Sequence, residues 1–78
     1  MEHREADAEP GTLAGGWWEG ERQFCSWVYY RDARRLSVRS GAFEQNMTVR
    51  KSDAADPEVK RKLAQIALHE AQRLRASL

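Results

Sequence analysis

His69 and Glu70 stand together near the C-terminus, as the first two residues of an HExxH zinc motif would. A helical zinc site of that kind needs a second imidazole four residues after the first, and position 73 is Arg73. His3 lies far away in sequence, and no CxxC or HxxxH spacing exists, so no metal is expected. Cys25 is the only cysteine, which excludes a disulfide within one chain. A nucleophilic thiol needs a lowered pKa, whereas the aromatic neighbours Phe24 and Trp27 predict an apolar setting that raises it. The run Gly11-Thr12-Leu13-Ala14-Gly15-Gly16 lacks the Lys-Ser/Thr end of a phosphate-binding loop. Glu19 and Glu21 are expected in a loop with no shielded pocket to raise a carboxyl pKa. The chain therefore reads as non-enzymatic, with no cofactor.

The elements follow from periodicity. Residues 1–16 carry four acids against one arginine and no regular apolar repeat, the pattern of a disordered acidic arm. Residues 17–78 are expected to form a single small α+β domain. Residues Gln23 to Tyr30 are rich in aromatic and β-branched types and predict the first strand. Leu36, Val38 and Ser40 alternate with Ser37 and Arg39, a half-buried strand, and Ser40-Gly41 marks a turn. A third strand runs from about Phe43 to Lys51, with Met47 and Val49 alternating with Thr48 and Arg50. The product is a three-stranded antiparallel β-meander. Asp56 is a favourable N-cap and Pro57 suits the first helical position, so one C-terminal amphipathic α-helix is expected from Asp56 to about Leu78. Val59, Leu63, Ile66, Ala67, Ala71, Leu74 and Leu78 form its apolar face. Leu68 falls on the polar side, either at the rim of a wide apolar stripe or against a partner. Glu70 falls on the apolar side, either at the rim of a wide apolar stripe or against an arginine from the sheet.

These elements leave apolar surface over. In a simple meander Phe24–Tyr30 is an edge strand with two apolar faces, and one helix covers one of them. An uncharged edge invites another strand. Either Trp17 and Trp18 fold back to cover the remaining face, or Trp17, Trp18, Trp27, Tyr29 and Leu68 form a partner surface, with a homodimer or another protein as the expected partner. A core this thin fits oligomerisation. The alternative is nucleic acid. Arg34, Arg35, Arg39, Arg50 and Lys51 would lie on or beside the exposed sheet face, where arginines next to aromatics can track phosphates and stack on bases. In element order the chain is similar to three-stranded-sheet DNA readers such as plant AP2 domains and integrase arm-binding domains, a likeness that extends to no residue. The net charge of +1 adds little to that reading. No apolar run approaches the length of a membrane span. The lone cysteine and the absence of a signal-peptide pattern point to the cytoplasm.

Overall fold

The computed structural model describes residues 1–55 and 57–76. Among them the chain forms a five-stranded antiparallel sheet in simple sequence order, followed by a short helix and a long one. The strands are β1 (Glu2–Glu5), β2 (Thr12–Glu19), β3 (Arg22–Tyr30), β4 (Arg35–Ser40) and β5 (Phe43–Thr48). The helices are α1 (Lys51–Ala54) and α2 (Val59–Ala76). The fold is α+β, but two expectations are overturned. The sheet has five strands rather than three, and residues 1–16 are no disordered arm: they supply β1 and the first half of β2. With five strands the likeness in element order to three-stranded DNA readers falls away.

The strand that was expected at the edge is the central one. β3 is hydrogen-bonded to β2 on one side and to β4 on the other, so its uncharged backbone offers nothing to a newcomer. Its odd residues Cys25, Trp27 and Tyr29 turn toward α2 and are buried together with Leu13, Leu36 and Val38. Leu63, Ala64, Ala67 and Ala71 close this core from the helix side. Small alanines let α2 lie close on the sheet, and the large Trp27 fills the space between them.

Trp27 explains why a glycine-rich segment is a strand. Gly15 on β2 pairs with Trp27 on β3. A Cβ at Gly15 would stand 3.0 Å from two indole carbons of Trp27 and 2.8 Å from Nε2 of His3. The missing side chain therefore lets the indole lie across β2. The ring stacks on His3 of β1 with 15° between planes, and Trp27 Nε1 donates to His3 Nε2 at 3.3 Å. Covering an intrastrand glycine with a cross-strand aromatic ring offsets the weakness glycine brings to a sheet. The same contact pins β1, whose four residues have little apolar surface of their own.

A register shift at Trp17/Trp18 leaves Phe24 without an opposite residue. This irregularity lets both Phe24 and its neighbour Cys25 pack with the core, and Arg75 from the end of α2 lies 4.7 Å over the Phe24 ring. Gly41, at the predicted turn, has φ +63, which a residue with a side chain rarely adopts.

Among the described residues the long helix begins later than expected, at Val59. Lys62 N–H donates to Glu58 C=O at 3.1 Å in its first turn, and Pro57 and Glu58 form a turn before it. The expected cap, Asp56, and the last apolar residue, Leu78, lie outside the described residues. Glu70 does point into the sheet side and is buried, but its partner is not an arginine of the sheet. Arg73, one turn on in the same helix, donates from Nε at 3.1 Å and from Nη2 at 2.7 Å to the same Glu70 oxygen. Leu68 is half-buried on the flank of α2 rather than turned to solvent.

Candidate functional site

Trp17 and Trp18 are consecutive strand residues and so face opposite sides of the sheet. Trp17 lies on the helix side, half-buried, and its Nε1 donates to the Ala64 carbonyl at 3.0 Å. Trp18 lies on the outer side under the guanidinium of Arg4, 4.8 Å from the ring centre. Trp27 and Tyr29, only 2% and 3% exposed, belong to the core, and the little that Tyr29 exposes lines a hollow at the β3–β4 turn. Of the five residues expected to form one partner surface, the fold brings Tyr29 to one hollow and Trp17 to a separate open groove.

That groove lies between β1 and the first turns of α2. It measures about 650 Å³ and is lined by His3, Trp17, Val59 and Ala64, with Glu5, Lys60 and Arg61 at its rim. Lys60 Nζ reaches Glu5 at 3.3 Å, a bridge between two exposed side chains that costs little to open. The phase of the β1 ladder decides what borders the groove. Ala6 N–H donates to Ala14 C=O at 3.2 Å. In an antiparallel pair every second residue bonds its neighbour, so Glu2 and Arg4 turn their amides to β2. His3 and Glu5 turn their N–H and C=O groups to the open edge. Their side chains are the ones that line the groove. A strand added at this edge would thus bond His3 and Glu5 and drop its own alternate side chains beside Trp17. Sequence reasoning missed this site because it read residues 1–16 as disordered; the available signal was the alternation Leu13, Gly15, Trp17 opposite an aromatic strand.

The basic residues do not form one stripe. Arg39 pairs with Glu44 at 3.3 Å on the outer face, and Arg50 with Asp53 at 3.4 Å. Arg35 lies 4.8 Å over the Tyr30 ring. Arg34 and Lys51 line a separate hollow at the β3–β4 turn. The thiol of Cys25 is buried, and desolvation pushes its pKa up from the ordinary 9.0, against a smaller lowering by a hydrogen bond from the Trp17 backbone. Among the described residues no three His, Cys, Asp or Glu side chains are grouped to hold a metal ion. None of the described helices is long and apolar enough to cross a membrane.

Comparison with family profiles, with curated proteins and with solved structures finds no match to this chain.

Proposed function

We propose that this protein is a non-enzymatic self-association module whose β1 edge pairs with the β1 edge of a second copy. The observation that carries this reading is the free edge at His3 and Glu5 beside the groove floored by Trp17. Two-fold symmetric pairing must match outward amides with outward amides. A dyad through His3 does so, and it sets Glu2 of each copy opposite Arg4 of the other. Shifting the register by one residue at each copy would instead set Arg4 against Arg4. Charge therefore selects one register, and opposite charges across a strand pair are favourable. The dyad stands perpendicular to the sheet, so both α2 helices lie on one side and the two grooves merge over Trp17, Val59 and Ala64. Small C2 assemblies of this kind are common. The single, buried Cys25 fits a reducing compartment, and we place the assembly in the cytoplasm.

Nucleic-acid binding draws less support, because Arg39, Arg50 and Arg35 are each engaged within the molecule. Sedimentation equilibrium over a concentration series tests the proposal. The mass is expected to rise from 9.0 kDa toward twice that value. Arg4→Glu should weaken the dimer at least tenfold by setting acid against acid, and the double change Glu2→Arg with Arg4→Glu should restore it. A chain that stays monomeric at millimolar concentration overturns the reading, as does a dimer indifferent to both variants.

A further inference from the structure

A second hollow lies at the other side of the same end of the sheet, between the β3–β4 turn and α1. It holds about 420 Å³, and three cations line it: Arg31 and Arg34 from the turn and Lys51 from the start of α1. Among the described residues none of the three pairs with a carboxylate. Asp53, the acid nearest in sequence to Lys51, is taken by Arg50 at 3.4 Å and Lys62 at 3.7 Å. Asp32, in the turn itself, is exposed and makes no ion pair with either arginine. Three like charges around one hollow repel each other, and among the described residues no carboxylate pairs with them.

Arg34 is held in place rather than loose. Its φ of 48 is the left-handed conformation, uncommon for a residue other than glycine. Its N–H donates to Arg31 C=O at 3.3 Å, and its C=O accepts from Val49 N–H at 2.7 Å. Its Nη1 rests on the Val49 carbonyl at 3.5 Å. An independent feature points into the same hollow. Tyr29 is 3% exposed, lines the hollow, and among the described residues its hydroxyl makes no hydrogen bond. Yet no fully buried side-chain oxygen or nitrogen among the described residues lacks a partner. The Tyr29 oxygen therefore opens onto the hollow, a donor without an acceptor beside three cations. Leu13 and Ala54 supply an apolar wall.

The structure assigns this hollow as a binding site for a phosphate monoester carried on a small apolar or aromatic body. The dianion takes Arg31, Arg34 and Lys51, with the Tyr29 hydroxyl donating to one of its oxygens, and the organic part lies against Leu13 and Ala54. Charge-assisted bonds of this type are the strong ones. The cations converge on one hollow instead of tracking a line, which favours a compact ligand over a nucleic-acid backbone.

The test is an NMR titration of the full chain with phenyl phosphate, inorganic phosphate and a short single-stranded oligonucleotide. Saturable shifts confined to Tyr29, Arg31, Arg34 and Lys51 are expected with phenyl phosphate, and weaker binding at the same residues with inorganic phosphate. Tyr29→Phe keeps the ring and removes only the hydroxyl, and should weaken phenyl phosphate about tenfold. Arg34→Asn keeps a residue that tolerates the left-handed turn and should weaken it at least as much, with the folded spectrum retained. No saturable shift at millimolar phenyl phosphate overturns the assignment. So does binding unaffected by both variants, and so does an oligonucleotide that binds far more tightly and perturbs Arg39 and Arg50 as well.

Discussion

Gly15 shows how a single absent side chain organises three strands. Alanine in a strand is ordinarily better than glycine by about 0.5–1 kcal/mol. Here the added Cβ would stand 2.8 Å from His3 Nε2 and 3.0 Å from the Trp27 ring. Trp27 is wedged under α2 and cannot withdraw, so overpacking at about 1–3 kcal/mol outweighs the gain. Gly15→Ala should therefore lower the urea midpoint, and the loss of His3 stacking should appear in the Trp27 signals. Cys25 gives a second prediction at this scale. Its folded pKa is raised by burial above the unfolded value. The native state then keeps its thiol proton at a pH where the unfolded chain has released it. The contribution is fully present below the unfolded pKa and is lost as pH rises through the folded one. From pH 9 upward the wild type should lose stability more steeply than Cys25→Ala, by at most about 1.4 kcal/mol per pH unit. Equal slopes in chemical denaturation of the two proteins would contradict the effect.

Among the elements, α2, β3, β4 and β5 were legible because their residues carry a period. Leu36 and Val38 alternate with polar residues, and Leu63, Ala67 and Ala71 recur at helical spacing. β1 and β2 were not, for two physical reasons. Edge strands are commonly charged on both faces, which blunts pairing, so Glu-His-Arg-Glu reads as solvated chain. In β2 the central core position is Gly15, and the apolar group that fills it comes from Trp27 on another strand. No local pattern reports a contribution from elsewhere. The candidate site depends on β1, so it was hidden with it; only Trp17 was singled out. Glu70 shows the same limit within α2: the wheel set it on the core face but not its partner. Arg73→Ala should leave the Glu70 carboxylate buried without its main donor and cost about 1–3 kcal/mol. Glu70→Met in that background should recover most of the loss, since an apolar residue of similar volume needs no partner. Thermal unfolding of the two variants distinguishes this from a loss of helix propensity, which the second change would not repair.

At the scale of the whole molecule, the ladder phase of β1 separates association from mere order. Residues 1–16 are structured in the single chain, so the amides of Arg4 and Ala6, which face β2, should be protected from hydrogen exchange at every concentration. The amides of His3 and Glu5 face the open edge and should exchange rapidly in dilute solution. If a second copy adds there, these two amides alone among the β1 set gain protection as concentration rises, because the dyad through His3 bonds them and no others. A partner docking on the groove through side chains alone would leave His3 and Glu5 unprotected while slowing exchange at the start of α2. Protection that rises uniformly across β1 would mean that association merely stiffens the strand. The alternating pattern, with its concentration dependence abolished by Arg4→Glu and restored by the charge-swapped pair, is what edge-to-edge pairing requires.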